Sequence, residues 1–141
     1  EWRVTDECNW KFIAAEAQNW DLNFWYEAVI SADSHEARFD TADELFQEKK
    51  DEAKERFGSI EDEGAKEARK GKEYFYYGEL SEGQQAYTLV RKVKSSVYVV
   101  EINRSDSAPP ENSRLEQWEI SGYADDVAKL VDNPLTDVVP D

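Results

Sequence analysis

The feature that most constrains the fold of this chain is a change of hydrophobic period at Lys72, where apolar side chains begin to alternate. The run Tyr-Phe-Tyr-Tyr at 74–77 has the period of two that is typical of β-strands. Ser81-Glu82-Gly83 then has the composition of a turn, and Gly78 indicates a bulge or a close approach of two backbones. This segment therefore predicts antiparallel strands rather than helices.

Two further runs, Gln85–Val93 and Val97–Arg104, predict an antiparallel pair joined by the three residues between them. The pattern leaves the register of this pair open. A two-residue loop places Leu89 opposite Ile102, whereas a register one residue longer places Val90 opposite Ile102.

The clearest helix of the sequence begins at Asp40 or Thr41, since Thr41 followed three residues later by Glu44 forms a capping box. Gly58 is typical of a residue that ends a helix. One stripe of this helix consists of Leu45, Phe46, Lys49, Ala53 and Phe57. This stripe is the side predicted to pack on the sheet.

Three other segments allow more than one interpretation. Asp6–Gln18 has apolar residues at helical spacing and is predicted as a helix, with a strand through Trp10–Ala14 as the alternative. Leu22–Ser31 is predicted as a strand because its aromatic and β-branched residues alternate, and a helix is the alternative. Ile60–Lys70 has little apolar content and is predicted as a weak helix or a loop.

The C-terminal part is predicted to contain one more strand and a short helix. Residues 105–113 form a polar, proline-containing loop, and Leu115–Gly122 is predicted as the last strand. Ala124–Val131 is predicted as the short helix, which ends at Pro134 before a frayed tail over residues 133–141. The apolar side of this helix consists of Val127, Leu130 and Val131.

These elements predict a single α+β domain over residues 1–141. An antiparallel sheet of four to six strands packs against one long helix, and a short C-terminal helix completes the fold. The layout from Tyr74 to Trp118, an aromatic strand followed by a hairpin and a late strand with tryptophan, resembles the sheet of PsbP-like extrinsic proteins. It also resembles the cone-shaped sheet of nuclear-transport-factor-2-like domains.

The formal net charge of −15 narrows the classes of partner. Residues 1–40, 41–73, 74–104 and 105–141 carry −6, −3, +1 and −7, so the two ends are expected to supply the negative surface. The dense charges of 41–73 are expected to lie on the solvated side of a helix and largely to cancel. Acidic side chains repel phosphate backbones and anionic membrane surfaces. This repulsion argues against binding to nucleic acids and to such membranes. Basic proteins, cationic peptides and divalent cations are compatible partners, and acid for solubility alone is the alternative.

The composition and the first residue of the sequence bear on the cellular location of the protein. No stretch approaches 18 apolar residues, so membrane insertion is not predicted. The single Cys8 has no second cysteine for an internal disulfide and is predicted to be a small buried residue. The chain contains no methionine and begins at Glu1, which favours an exported mature chain or a domain of a longer protein, with a trimmed chain as the alternative.

Aromatic residues are the strongest candidates for a binding site. They lie on both faces of two predicted strands, and this exceeds what one face of a core needs. One set is predicted to line a ligand pocket or a protein-binding patch. The predicted binding residues are Trp20, Trp25, Tyr26, Tyr74, Tyr76 and Tyr77. The alternative is a core sheet covered by a helix on each face.

Catalytic chemistry finds little support in the sequence. His35 lies among acidic residues without a second histidine and is interpreted as a solvated loop residue. The sequence contains no nucleophile motif, phosphate loop or dinucleotide fingerprint, so no catalytic residue, metal or cofactor is predicted. Asp125-Asp126 is interpreted as complementing the dipole at the start of the last helix. Asn103-Arg104-Ser105 matches a glycosylation sequon, a match that chance also explains.

Three functions follow from these observations as hypotheses. The leading one is a non-enzymatic binding domain that holds a protein or a small apolar ligand through the surplus aromatic residues. The second is an acidic inhibitor or immunity-type protein that docks on a basic partner through its terminal acidic blocks. The third is a small cone-shaped α+β enzyme, which requires a buried carboxyl group with a raised pKa beside an aromatic pocket.

Overall fold

The structure, a computed structural model, describes residues 2–14, 18–30, 39–66, 71–105 and 115–138. Its elements in chain order are β1 (Trp2–Ala14), β2 (Gln18–Ile30), α1 (Phe39–Arg56), β3 (Phe57–Lys66), β4 (Lys72–Leu80), β5 (Gln85–Val93), β6 (Ser96–Arg104) and α2 (Gln117–Val138). The strands form one six-stranded sheet in the order β1-β2-β6-β5-β4-β3. Every neighbouring pair is antiparallel, which confirms the predicted α+β fold with an antiparallel sheet.

The two helices cover opposite faces of the sheet, and both contact the central strands β5 and β6. Side chains of β2, β4, β5 and β6 alternate between two buried clusters, because neighbouring residues of a strand point to opposite faces. On the α1 face the buried cluster consists of Leu45, Phe46, Ala53, Tyr76, Val90, Val97 and Val99. The larger cluster on the α2 face contains Trp20, Tyr87, Tyr98, Ile102 and Ile120, among others. The fold therefore has three layers.

Asp43 ties the first turns of α1 to the sheet. Its carboxylate accepts hydrogen bonds from Lys92 at 2.8 Å and from Lys72 at 3.0 Å, and these two lysines face each other on β5 and β4. The hydrogen bond from Lys92, followed by that from Lys72, holds the pKa of the Asp43 carboxyl below its ordinary value. The start of α1 is thus fixed across two strands.

The N-terminal segment is a strand, so the helix predicted over Asp6–Gln18 is wrong and the alternative strand is correct. β1 pairs with β2 along its whole length, from Trp2 opposite Ile30 to Ala14 opposite Gln18. This continuous ladder satisfies the backbone and outweighs the local helical spacing of the apolar residues. The predicted strand Leu22–Ser31 is confirmed over residues 22–30, which belong to β2, and Ser31 lies outside the described residues.

Residues 60–66 of the segment predicted as a weak helix or a loop also form a strand, and residues 67–70 lie outside the description. β3 follows α1 directly, so the helix ends at Arg56, before the predicted Gly58. It is an edge strand with most of its side chains exposed, which explains its low apolar content. Gly78 is confirmed as the position of a bulge and a close approach, since the register shifts between Ile60 and Asp62 on the facing strand.

The β5–β6 hairpin is confirmed, but both registers considered for it are wrong. Val93 lies opposite Ser96, so the connecting turn is Lys94-Ser95 and Leu89 lies opposite Val100. Two features stabilise this two-residue turn. Lys94 adopts a positive φ of 53°, and the hydroxyl of Ser96 donates a hydrogen bond to the carbonyl oxygen of Val93 at 2.8 Å.

The segment Leu115–Gly122, predicted as the last strand, belongs to α2 from Gln117 onward. The prediction was wrong because its apolar residues also fit a helix: Ile120, Ala124 and Ala128 are spaced by four and are all buried. The late tryptophan strand of the PsbP-like layout is therefore absent from the described residues.

The C-terminal helix is longer than predicted, and some of its residues differ from the prediction in their exposure or in their position along the helix. It continues past Pro134 to Val138, into the segment predicted as a frayed tail. Leu130, predicted on the apolar side, is 76% exposed. Asp125-Asp126 lies two turns inside the helix rather than at its start, and Asp125 forms an ion pair with Lys66 at 3.3 Å.

Some predictions lie outside the described residues. These are the solvated His35, the loop over residues 106–113 and the last three residues of the predicted tail. The burial of Cys8 and the caps at Asp40 and Thr41 concern side chains that are likewise outside the description. Within the described residues, neither helix combines the length and the apolar character needed to cross a membrane.

Candidate functional site

The six predicted binding residues are divided between the two faces of the sheet. Trp20, Tyr26 and Tyr77 belong to the cluster under α2. Trp25, Tyr74 and Tyr76 belong to the cluster under α1. Three of the six, Trp20, Tyr76 and Tyr77, are buried, which fits the alternative interpretation of a sheet covered on both faces.

On the α2 face, Tyr77 anchors the start of α2. Its hydroxyl accepts a hydrogen bond from the Gln85 side chain at 2.9 Å. The same amide of Gln85 donates to the carbonyl oxygen of Leu115 at 2.6 Å and accepts from the Leu115 backbone N–H at 3.1 Å. Tyr77 therefore has a structural partner. Tyr26 is partly buried against the same cluster but faces Tyr98 on β6, and desolvation raises the pKa of its phenol.

On the α1 face, Tyr74 and Tyr76 support the helix. Their ring centroids lie 5.1 Å apart, and the Tyr74 hydroxyl donates to Glu63 at 3.0 Å. The ammonium group of Lys50 on α1 lies 4.2 Å from the centroid of the Tyr74 ring. Burial raises the pKa of Tyr76 to about 12, so this phenol stays neutral at physiological pH.

Trp25 is the predicted residue that lines a cavity. The cleft next to it, called the Trp25 cleft below, has a volume of about 460 Å³ and lies between α1 and strands β2 and β6. Its other lining residues are Asn23, Phe24, Lys49, Glu52, Ala53, Arg56, Val99 and Glu101. The cleft thus combines an indole ring and small apolar side chains with two acids and two bases.

The charges of the Trp25 cleft are arranged in pairs. The Lys49 ammonium group lies 4.1 Å from the centroid of the Trp25 ring and 3.0 Å from a carboxylate oxygen of Glu52. Arg56 forms an ion pair with Glu101. A cation over an indole face is attracted by the ring quadrupole. The paired charges hold the side chains of α1 above the sheet and leave the cleft open beside them.

A polar row crosses the sheet at the floor of the cleft. Register places one residue of each strand in this row, and the six residues from β1 to β3 are Asn9, Asn23, Glu101, Thr88, Tyr76 and Glu63. The side-chain amide of Asn9 donates to Asn23. The Thr88 hydroxyl is fully buried and has no hydrogen-bond partner among the described residues.

The outer side of α1 carries an acidic ridge made of Glu44, Glu48, Asp51, Glu52 and Glu55, all of them exposed. Together with Gln47 these residues line a shallow depression that contains no base. The basic residues Lys49, Lys50 and Arg56 are turned toward the rings and Glu101 of the sheet. These five acids and these three bases of α1 are therefore separated in space, although the formal charge of residues 41–73 is only −3 and Lys54 is also exposed on the helix.

Sequence reasoning missed five charged or polar residues of the cleft: Asn23, Lys49, Glu52, Arg56 and Glu101. One signal was present, since Lys49 interrupts the apolar stripe of the helix between Leu45 and Ala53. A charge at such a position needs a partner, and the Trp25 ring on the sheet and Glu52 on the same helix supply it. Among the residues with described side chains, no group of three or more metal-ligating residues is placed to hold a metal ion.

Comparison with known proteins gives little further information. No family model matches this chain, and no curated protein matches it. Among solved structures, the Pseudomonas aeruginosa protein of unknown function PA94 is similar over 99% of this chain and 86% of its own, with 12% identity and a TM-score of 0.46. At this level of similarity, no residue role is transferred from it.

Proposed function

We propose that this protein is a binding domain that holds an apolar group of a ligand or partner protein in the Trp25 cleft. The observation that carries this proposal is the cleft itself, in which a partly exposed indole ring at the edge of the core lies beside open space. Its volume of about 460 Å³ is within the range of about 300 to 1,000 Å³ typical of ligand sites. An enzyme function gains no support, because the buried glutamates Glu27 and Glu73 do not line the cleft.

The packing of the other aromatic residues supports this choice of site. Trp20, Tyr76 and Tyr77 fill the core, so their rings reach a ligand only through other side chains. Trp25 is partly exposed at the edge of α1, next to Ala53 and Val99. An aromatic ring with small neighbours forms a flat surface. An apolar or planar group that packs on this surface buries part of its own solvent-accessible area.

A panel of N-acetyl amino-acid amides tests the proposal by saturation-transfer NMR. The members with aromatic side chains are expected to bind with a Kd of about 1 mM, the affinity that about 15 atoms at about 0.3 kcal/mol each provide. Trp25→Leu is expected to remove this binding, because it removes the ring that the ligand contacts.

Trp118→Leu is the matched control, since Trp118 is 72% exposed on α2 and lies outside the cleft. It is expected to leave binding unchanged. If no member of the panel binds, or if Trp25→Leu binds the same members as Trp118→Leu, the cleft is not the binding site. Far-UV circular dichroism of both variants establishes that they are folded.

A second candidate function is the acidic inhibitor or immunity-type protein. The acidic ridge favours it, because the ridge concentrates five carboxylates on one side of α1 while Lys49, Lys50 and Arg56 face the sheet. Such a surface attracts a basic protein at long range and raises its association rate. The docking surface is then the ridge rather than the terminal blocks.

The association rate with lysozyme, a basic folded protein, tests this candidate. The rate is expected to fall at least about tenfold between low and moderate salt, and the double variant Glu48→Gln/Asp51→Asn is expected to lower it at low salt. Glu116→Gln/Asp126→Asn removes the same charge from exposed positions of the α2 segment and serves as the control. Equal rates for the two double variants would show that only net charge matters.

A further inference from the structure

The Trp25 cleft is one of three depressions that adjoin at the C-terminal end of α1. It shares Glu52 with the depression along the acidic ridge and Arg56 with a third depression of about 500 Å³. The ridge and the third depression share Glu55. The three adjoining depressions thus border the last two turns of α1 and are together called the groove below, with Glu52, Glu55 and Arg56 at their junctions.

The groove as a whole is acidic, although the Trp25 cleft alone is balanced. Eight carboxylates and three basic side chains line the three depressions together. Glu101, Asp21 and Glu82 add to the five acids of the ridge. Of the bases, Lys49 and Arg56 are already ion-paired within the protein. The residues that line the three depressions therefore carry a formal net charge of −5, which attracts a cationic ligand.

The third depression, called the polar depression, lies where the ends of several elements meet. Asp21 of β2, Glu55 of α1 and Glu82 of the β4–β5 turn supply its three acids, and Arg56 and Arg104 supply two bases. Gln84 and Asn103 line the same space with side-chain amides, which donate to Glu82 at 3.1 Å and to the carbonyl oxygen of Arg104 at 3.2 Å. These amides have further hydrogen-bonding capacity for a peptide backbone. Acids and amides together suit a cationic chain better than a metal ion, which needs several oxygens at one point.

We infer that the ligand of this groove is an extended basic peptide segment of a partner protein. An apolar or aromatic side chain of the segment lies in the Trp25 cleft, and its lysine or arginine side chains lie along the acidic ridge and in the polar depression. This inference rests on the proposed function, because the Trp25 cleft supplies the anchor. The acidic residues of the groove supply the attraction for the basic side chains of the segment. They also exclude nucleic acid, because they repel its phosphates.

Three heptapeptides test the inference by calorimetry at low salt. The first has a central phenylalanine flanked by two arginines, the second has glutamines in place of the arginines, and the third has alanine in place of the phenylalanine. The first is expected to bind about tenfold more tightly than the second, since each exposed ion pair contributes roughly up to fivefold in affinity. The third is expected to bind more weakly than the first.

Variants then assign the binding to the groove. Trp25→Leu is expected to abolish the advantage of phenylalanine over alanine, and Glu55→Gln/Glu82→Gln is expected to abolish the advantage of arginine over glutamine. Glu116→Gln/Asp126→Asn, which changes the net charge equally at exposed positions outside the groove, is expected to preserve both advantages.

The outcomes distinguish a failure of the inference from a failure of the proposed function. If the glutamine peptide binds as tightly as the arginine peptide and Trp25→Leu removes both, the inference is wrong and the proposed function stands. If the alanine peptide binds as tightly as the phenylalanine peptide and Trp25→Leu has no effect, both are wrong. The inference also fails if none of the peptides binds, whereas the proposed function is then decided by the amino-acid amide panel.

Discussion

Arg91→Met is expected to lower the free energy of unfolding by about 3 to 5 kcal/mol, the cost typical of breaking a buried ion pair from one side. Arg91 and Glu73 lie opposite each other on β5 and β4, with 3.2 Å between guanidinium and carboxylate. Both side chains are 3% exposed. Methionine fills much of the volume but leaves the Glu73 carboxylate buried without its guanidinium, and water does not reach it to compensate.

Urea unfolding of three proteins measures this effect: the wild type, Arg91→Met and the double variant Glu73→Leu/Arg91→Met. The double variant is expected to recover most of the loss, because an apolar pair of similar volume carries no buried charge. Glu52→Gln breaks the exposed Lys49–Glu52 pair and is expected to change stability by about 1 kcal/mol or less. A single variant as stable as the wild type would mean that water reaches Glu73.

Gly78→Ala is expected to destabilise the protein by about 3 kcal/mol, at the upper end of what overpacking usually costs. A Cβ atom at Gly78 would lie 2.1 Å from the carbonyl oxygen of Ser59 and 3.0 Å from the Cα of Ile60. Both atoms belong to the backbone of β3, so no side-chain rotation relieves the contact. The edge strand has to move away from β4 or lose its pairing at the bulge.

Two other glycines are the controls for this substitution. At Gly64, on β3 itself, the nearest atom to an added Cβ belongs to the Phe75 ring at 3.5 Å, so Gly64→Ala is expected to be nearly neutral. At Gly122, in α2, nothing lies within 4 Å, and Gly122→Ala is expected to stabilise the protein by about 0.5 to 1 kcal/mol. Unfolding curves and amide exchange of β3 measure the series. Equal stability of the Gly78 and Gly64 variants would contradict the close approach.

The middle of the fold could be predicted from sequence because its strands are buried on one or both faces. The alternation that begins at Lys72 has to match two buried clusters, and this leaves a clear period of two. Gly78 was predictable for a related reason, since a glycine inside an apolar strand marks a place where a side chain does not fit. The hairpin register depended on Lys94 adopting a positive φ, which its residue type does not favour.

The wrong secondary-structure predictions concern elements whose structure depends on a neighbouring element. β3 is mostly exposed and its pairing with β4 is what makes it a strand, so its own residues carry little signal. The sequence of α2 was predicted as a strand followed by a short helix. The reason is that Trp118 is exposed and therefore does not fit the helical stripe formed by Ile120 and Ala124. Local spacing cannot show which of two patterns the tertiary structure selects.

The candidate site was predictable only in part, through Trp25. Its other lining residues come from α1 and β6, and Arg56 and Glu101 are 45 residues apart in the chain. Their proximity depends on where α1 crosses the sheet. The aromatic residues alone could not distinguish a ring at the edge of the helix from one in the core, because both sit on the same strands in the same alternation.

The absence of a linker between α1 and β3 has a consequence for recognition. Arg56 ends the helix and Phe57 begins the strand, so the helix and the sheet are joined by a single peptide bond. At its other end, the helix is held by Asp43 across β4 and β5. A helix fixed at both ends gives the groove a rigid wall that does not have to order itself around a ligand. The conformational entropy lost on binding is then almost entirely that of the ligand.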